Sequence, residues 1–150
     1  MVDTTNGPIL QRLKAAKLRP TRQRVALAGL LFAKGDRHVT AEQLHQEALT
    51  DAVRVSLATV YNTLHQFTAA GLLREVVVEA GRSYFDTNVS DHHHFFLVDG
   101  GKLVDIAGEH LAIANLPPAP AGTAVERVEV IIRLRRQAHA EAERGKPPRL

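Results

Sequence analysis

The spacing of apolar residues changes from a helical period to an alternating one near Gly71, and no other feature of the sequence constrains the fold as strongly. Residues 57–70 carry an apolar stripe at helical spacing, whereas residues 73–79 and 83–87 alternate on either side of the turn 80–82. Two short alternating segments around a glycine turn predict a β-hairpin. Helices followed by a small hairpin form the winged helix-turn-helix arrangement, in which the last helix enters the major groove of DNA.

Local start and stop signals delimit four helices ahead of this hairpin. Helical spacing of apolar residues begins at Ile9 and ends before Leu18, which predicts a short first helix. Three further helices, predicted over residues 22–33, 41–49 and 57–70, each follow a good N-cap residue. These caps are Thr21, Thr40 and Ser56, and Gln43 completes a capping box with Thr40.

Basic residues are concentrated near the N-terminus. The segment from Leu10 to Arg37 contains eight lysine and arginine residues but a single acid, Asp36. Clustered cations attract a phosphate backbone, although a solvated basic helix face has the same composition. The helix pattern favours DNA binding, because the fourth helix carries short polar side chains opposite its apolar stripe. These side chains are Thr59, Asn62, Thr63 and Gln66.

Beyond residue 86 the pattern predicts a second, smaller domain. We expect strands over residues 95–98, 103–106 and 125–134, and a terminal helix over 135–144. Such short elements bury little apolar surface alone, so this domain is expected to form a homodimer, which suits a palindromic operator. The predicted fold class is α+β, with a flexible arm (1–8), a winged helix-turn-helix DNA-binding domain (9–86) and a small α/β dimerisation and sensing domain (87–150).

The chain contains no cysteine, which excludes disulfides, thiolate zinc sites and cysteine nucleophiles. No apolar run approaches the ~18 residues of a membrane span, and the N-terminus lacks a signal-peptide core. We therefore expect a cytoplasmic protein that does not engage the membrane. Any metal site must use histidine nitrogen and carboxylate oxygen.

The main candidate for such a site is the motif SDHHHFF at residues 90–96. In an extended strand, His92 and His94 point to one side and His93 to the other. Two imidazoles at this spacing can share one cation such as Fe²⁺, Mn²⁺ or Zn²⁺. The alternative is a surface histidine tract without a ligand. The interior position of the motif, the flanking Asp91 and the following aromatic pair favour the metal site.

Four stretches of the sequence resemble the ferric uptake regulator superfamily, and most of all its iron-response regulator branch. They are LRPTRQR (18–24), ATVYNTL (58–64), DHHHFF (91–96) and GKLVD (101–105), and they span nearly the whole chain in the family's order. The resemblance implies a regulator that binds palindromic, AT-rich double-stranded DNA as a dimer and senses iron status through Fe²⁺ or Mn²⁺.

The resemblance also implies roles for individual residues. The regulatory metal site corresponds to His38, Asp86, His92, His94 and Asp105. At the DNA we expect base contacts from Thr59, Asn62 and Thr63, and phosphate contacts from Lys14, Arg19, Arg22 and Arg82. Tyr61 fits the apolar stripe of its helix, but the family places this tyrosine at the DNA.

The sequence departs from the superfamily's usual pattern at two places. The paired cysteines that hold a structural zinc correspond here to Leu97 and Gly100, so that zinc site is absent. Asn62 replaces the arginine that often follows the recognition-helix tyrosine. Both departures are similar to the iron-response regulator branch, in which the histidine triad is associated with haem. Haem, or a second metal, is therefore a candidate ligand of His92, His93, His94 and Asp91.

Two other functions compete with iron sensing. Within the superfamily, a peroxide sensor uses Fe²⁺ at the same site to oxidise a histidine ligand, and Asp86 is compatible with that chemistry. Outside it, a small metalloenzyme could use His92 and His94 to activate water. The enzyme is disfavoured, because spacing alone places no general base or nucleophile beside the two histidines.

Overall fold

Four helices open the computed structural model, which describes residues 6–137 and divides into two compact units, Met1–Ser90 and Asp91–Leu150. The helices are α1 (Gly7–Ala15), α2 (Arg22–Phe32), α3 (Ala41–Thr50) and α4 (Leu57–Ala69). The bounds of α2, α3 and α4 agree with the sequence prediction to within one residue. None of the helices in the described part of the chain combines the length and the apolar character that crossing a bilayer requires.

The helix starts follow from their caps. The hydroxyl of Thr21 accepts the Arg24 N–H, and Ser56 accepts the Thr59 N–H. The capping box of Thr40 and Gln43 is present in both directions, as predicted. Helix α1 begins two residues earlier than predicted, inside the segment 1–8 expected to be an arm. Pro8 lies in its first turn, where a proline costs no hydrogen bond. Residues 1–5 of that arm lie outside the described residues.

A three-stranded antiparallel sheet completes the first unit. Its strands are β1 (His38–Val39), β2 (Arg74–Glu79) and β3 (Arg82–Asp86), in the order β1-β3-β2. The predicted hairpin of β2 and β3 is confirmed, with Gly81 at φ 74°, a left-handed conformation that glycine adopts easily. Strand β1 was not predicted, because two residues are too few to show an alternating period.

The core of the first unit joins this sheet to the helices. Leu13, Leu27, Leu44, Leu64 and Phe67 are all completely buried. They come from all four helices, and Val39 of β1 and Phe85 of β3 pack in the same cluster. The apolar stripe of α4 therefore faces the core, which directs the opposite face of this helix towards solvent.

The second unit contains another three-stranded sheet. Its strands are β4 (His93–Leu97), β5 (Lys102–Ile106) and β6 (Ile131–Leu134), in the order β5-β4-β6. Strands β4 and β5 are antiparallel, and β6 runs parallel to β4. Phe96, Leu103 and Ile106 are the large apolar side chains buried here among the described residues. A single 3-10 turn, Gly108–His110, follows β5.

Two predictions for the end of the chain need correction. The strand expected over residues 125–134 is limited to Ile131–Leu134, because its register with β4 begins only at His94, which pairs with Ile131. Residues 125–130 therefore have no ladder partner on β4. The terminal helix expected over 135–144 is not present at residues 135–137. The remainder of that predicted helix, residues 138–144, lies outside the described residues.

Candidate functional site: metal centre and nucleic-acid interface

Strand β4 brings two histidines of the triad to one face. His94 lies on the buried face of the strand with Phe96, and His92 immediately precedes the strand. The two side chains are 2% and 5% exposed, respectively, and their ring centroids are 4.5 Å apart. The alternation expected of an extended strand therefore holds for this pair. Two imidazoles this close and this buried present two nitrogen ligands to the same small volume.

Asp105 joins the two imidazoles through the pairing of β4 with β5. Its Cα partner across the ladder is His94. One carboxylate oxygen of Asp105 lies 3.3 Å from Nε2 of His94 and 3.6 Å from Nε2 of His92. Each of the three residues offers one ligand atom that lies within 4.8 Å of those of the other two. The Asp105 side chain is 44% exposed, so the cluster is buried on the histidine side and open to solvent on the carboxylate side.

The other two predicted ligands lie together in the first unit. His38 of β1 and Asp86 of β3 are Cα partners across the antiparallel ladder. The Asp86 side chain is buried, and its Oδ1 accepts the Asn88 N–H at 2.9 Å. The half-buried His38 ring meets Tyr84 edge to face, with centroids 6.2 Å apart. The short strand β1, which sequence reasoning missed, is the element that places His38 opposite Asp86.

His93 belongs to a different environment from its two neighbours. Its Nδ1 accepts the Val130 N–H at 3.1 Å, next to the start of β6. Because Nδ1 accepts this hydrogen bond, the proton of the His93 ring is on Nε2. Asp91 is exposed. The structure therefore does not gather His92, His93, His94 and Asp91 into one ligand set for haem or a second metal.

A polar cleft lies on the solvent side of α4, where nucleic-acid contacts were expected. It is lined by Thr59, Asn62, Thr63 and Gln66 of α4, by Arg19 and Thr21 ahead of α2, and by Arg24 in the first turn of α2. Asn62 and Gln66 are exposed. Of the four phosphate contacts predicted, Arg19 lines this cleft, and Lys14, Arg22 and Arg82 are exposed on α1, α2 and β3. Cations beside amide and hydroxyl groups can bind both the backbone and the base edges of DNA.

Thr63, which is predicted to contact bases, lines this cleft but is bonded within its own helix. The residue is only 5% exposed, and its hydroxyl donates to the backbone oxygen of Thr59 at 2.8 Å. Thr63 follows Val60 by three residues and precedes Phe67 by four, so it borders the buried stripe of the helix. A base contact through this hydroxyl therefore requires it to leave its hydrogen bond within the helix.

The hydroxyl of Tyr61 is bonded within the protein. It donates to Oε1 of Glu42 at 2.7 Å, and the tyrosine ring stacks on His65 with centroids 6.4 Å apart. The hydrogen bond to Glu42 is the main reason why the pKa of Tyr61 is raised, with smaller contributions from burial and the charge of Glu42. A DNA contact through this hydroxyl therefore requires Glu42 to release it.

Sequence reasoning assigned no role to Arg24, which links α2 to α4. One guanidinium nitrogen donates to the Arg19 backbone oxygen at 2.9 Å, and another donates to Oε1 of Gln66 at 3.0 Å. Because guanidinium has only donors, Gln66 must turn its oxygen towards Arg24 and its amide N–H groups away from it. No sequence signal joins residues 42 positions apart, so this contact becomes visible only in the fold.

Comparison with known proteins identifies the family. The model of the ferric uptake regulator family matches residues 15–132. The ferric uptake regulation protein of Shigella flexneri is 33% identical over 100 residues, which cover 66% of this chain and 68% of that protein.

Two solved structures have a similar fold. A ferric uptake regulator from Pseudomonas aeruginosa, solved with manganese, aligns with a TM-score of 0.64 at 24% identity over 85% of this chain and 96% of its own. A peroxide stress regulator from Campylobacter jejuni aligns with a TM-score of 0.56 at 25% identity over 86% of this chain and 96% of its own. The likeness confirms the predicted α+β fold with an N-terminal DNA-binding domain.

These matches decide the class of protein. Ferric uptake regulators are transcription regulators that bind DNA as dimers, and they are not enzymes, so the metalloenzyme alternative is set aside. The family match covers residues 15–132. The cluster of buried histidines with a carboxylate and the winged helix are both consistent with that family. The chain belongs to the ferric uptake regulator family of metal-responsive transcription regulators.

Proposed function

We propose that this chain is an iron-responsive regulator that binds palindromic, AT-rich operator DNA as a homodimer in the cytoplasm, with Fe²⁺ or Mn²⁺ as the signal. The observation that carries the proposal is the convergence of the buried His92 and His94 with Asp105. A cluster of two imidazoles and a carboxylate, without thiolate, suits a divalent ion that binds and leaves as its concentration changes.

We assign the metal to His38, Asp86, His92, His94 and Asp105. The donor set fits a first-row divalent ion, because it combines imidazole nitrogen with carboxylate oxygen. His38 and Asp86 belong to the first unit and the other three to the second. A single ion bound by both groups would couple the DNA-binding unit to the sensing unit, and a coupling of about 1–3 kcal/mol is enough for a useful switch.

At the DNA, we assign phosphate contacts to Lys14, Arg19, Arg22 and Arg82. Base contacts are assigned to Thr59 and Asn62, on the solvent-facing side of α4. The polar cleft supports the assignment of Arg19, Thr59 and Asn62, because its hydroxyl and amide groups lie beside arginine side chains. The other three cations are supported by their exposure on α1, α2 and β3. Phosphate contacts fix the position of the protein on the duplex, and the contacts to base edges supply the sequence preference.

The first prediction concerns the two buried histidines. Fluorescence anisotropy on an AT-rich palindromic duplex measures the Kd of the metal-free protein with and without Mn²⁺. We expect Mn²⁺ to change the wild-type Kd by roughly 5- to 150-fold, the range of typical allosteric couplings. Replacing both His92 and His94 by alanine removes two ligands, so the Kd should no longer respond to Mn²⁺.

The matched control is His110→Ala, because His110 is an exposed histidine of the same unit outside the cluster. This variant should respond to Mn²⁺ like the wild type. Circular dichroism confirms that each variant is folded. A folded wild-type protein whose Kd is indifferent to Mn²⁺ and Fe²⁺ would contradict the proposal.

We place the chain in the iron-response regulator branch, in which haem is a second signal. The support is the histidine triad, together with Leu97 and Gly100 at the positions of the family's zinc cysteines. Because His92 and His94 are buried, haem ligation by either of them requires that side chain to become accessible, whereas a bare ion is small enough to reach it. If haem is a signal, it abolishes binding of the Mn²⁺-loaded protein to the duplex. Unchanged anisotropy after haem addition assigns sensing to the ion alone.

A peroxide-sensing regulator is the second candidate, favoured by the 25% identity to the Campylobacter jejuni peroxide stress regulator. In this case Fe²⁺ would promote oxidation of a histidine ligand by peroxide. Mass spectrometry after peroxide treatment of the Fe²⁺-loaded protein should then show one added oxygen on His38 or His92. Unmodified histidines after this treatment would leave iron sensing as the function.

A further inference from the structure

Arg74, the first residue of β2, is a buried cation beside one of the assigned metal ligands. Its side chain is only 3% exposed. Arginine is almost never fully buried unless its charge is compensated, because removing a guanidinium group from water is energetically costly. The environment of Arg74 must therefore supply negative charge and hydrogen-bond acceptors.

The register of the first sheet places Arg74 next to Asp86. Strand β3 lies between β1 and β2, and Asp86 is the Cα partner of His38 on one side and of Arg74 on the other. Directly opposite residues in an antiparallel ladder point to the same face of the sheet. His38, Asp86 and Arg74 therefore form one row, in which a buried carboxylate lies between an imidazole and a guanidinium.

Hydrogen bonds fix the Arg74 guanidinium to the segment that follows Asp86. Its NH1 donates to the Ser90 backbone oxygen at 3.0 Å. Within this segment Asp86 accepts the Asn88 N–H at 2.9 Å, and Asn88 Oδ1 accepts the Ser90 N–H at 3.1 Å. The guanidinium thus bonds to a short loop that starts at Asp86, and the ladder places Arg74 directly opposite this residue.

We propose that Arg74 is the counter-charge of Asp86 in the metal-free protein and that it weakens metal binding at this carboxylate. The inference rests on the proposed function, in which Asp86 is a ligand. Guanidinium has no lone pair for a metal, so Arg74 contributes only positive charge and N–H donors. A divalent ion at Asp86 must share the carboxylate charge with Arg74 and is repelled by it across a low-dielectric interior. The metal affinity is thereby lowered, and the ion can be exchanged.

The test is the Mn²⁺ affinity of the full chain, measured from the electron paramagnetic resonance signal of free Mn²⁺. Arg74→Met removes the charge and keeps an unbranched, though shorter, side chain, and we expect it to bind Mn²⁺ about tenfold more tightly. Arg74→Lys keeps the charge and should stay within about threefold of the wild type. Arg74→Gln removes the charge but keeps an N–H donor for the Ser90 oxygen, so it should follow Arg74→Met.

A double-mutant cycle with Asp86→Asn shows whether Arg74 acts through Asp86. Asp86→Asn alone should weaken Mn²⁺ binding. In that background Arg74→Met should strengthen binding by clearly less than in the wild type, because only the direct repulsion between Arg74 and the ion remains. If Asp86→Asn leaves Mn²⁺ affinity unchanged, the assignment of Asp86 as a ligand fails. If Asp86→Asn weakens binding but Arg74→Met does not strengthen it, the inference about Arg74 fails while the proposed function stands.

Thermal unfolding of the metal-free variants separates this role from a purely structural one. A structural arginine would lower the melting temperature on substitution and leave Mn²⁺ affinity unchanged or weaker, which would overturn the inference. If Arg74→Met does not fold, Arg74→Gln carries the same expectation, because its amide can still donate to Ser90. Tighter Mn²⁺ binding by a folded, charge-free variant supports the inference.

Discussion

At the scale of single residues, α4 carries adjacent side chains with opposite roles. Asn62 is exposed in the polar cleft, whereas Thr63 is buried and bonded to its own helix. We predict that Asn62→Ala lowers discrimination at one base pair by about 1–3 kcal/mol, the value of a good bidentate amide contact. Thr63→Val, which removes only an internal hydrogen bond, should keep the wild-type sequence preference.

Selection from a randomised duplex library, followed by sequencing of the bound fraction, measures both preferences. Thr63→Val is the matched control, because it alters the neighbouring position of the same helix. A loss of preference in Thr63→Val, with none in Asn62→Ala, would show that the solvent-facing side of α4 does not read the bases.

The structure also explains which site residues could be predicted from the sequence. His92 and His94 follow from strand alternation, a local rule. Asp105 becomes their neighbour only through the ladder of β4 and β5, and its assignment as a ligand came from the family resemblance. The internal hydrogen bond of Thr63 could not be predicted, because a polar residue at the edge of an apolar stripe gives no sign that its hydroxyl bonds within the helix.

At the scale of elements, the start of α4 depends on Ser56. Its hydroxyl accepts the Thr59 N–H at 3.0 Å, one of the amide groups that a helix start leaves without a partner. We predict that Ser56→Ala destabilises the protein by about 1 kcal/mol, the usual cost of losing a cap. Ser56→Asp keeps an acceptor at the cap and should unfold near the wild-type temperature in a calorimetric scan. Equal melting temperatures for Ser56→Ala and the wild type would contradict this role.

Elements with their own local signals were predictable, and elements defined by distant partners were not. Caps delimited α2, α3 and α4, and a glycine turn marked the hairpin of β2 and β3. Strand β1 exists only because β3 lies beside it. In the same way, the strand predicted over residues 125–134 is reduced to the four residues that pair with β4.

At the scale of the whole molecule, the affinity for DNA should increase with the number of phosphates that the basic residues contact. Each phosphate that a cation neutralises releases counterions, so the logarithm of the affinity falls with the logarithm of salt concentration. Arg19 lies exposed at the cleft beside α4, where a phosphate contact has been assigned to it. We predict that Arg19→Ala weakens binding to all duplexes to a similar extent and lowers the salt slope by about 1.

Arg135→Ala is the matched control for this prediction, since Arg135 is an exposed arginine of the second unit without an assigned DNA contact. Both variants lose one positive charge, so a general effect of net charge would change their salt slopes equally. Anisotropy titrations at several salt concentrations, on an AT-rich palindrome and on a scrambled duplex, separate the two cases. A reduced slope for Arg19→Ala alone, equal on both duplexes, means that Arg19 contacts the backbone. An unchanged slope removes Arg19 from the interface, and a change on the palindrome alone means that this side chain reads sequence.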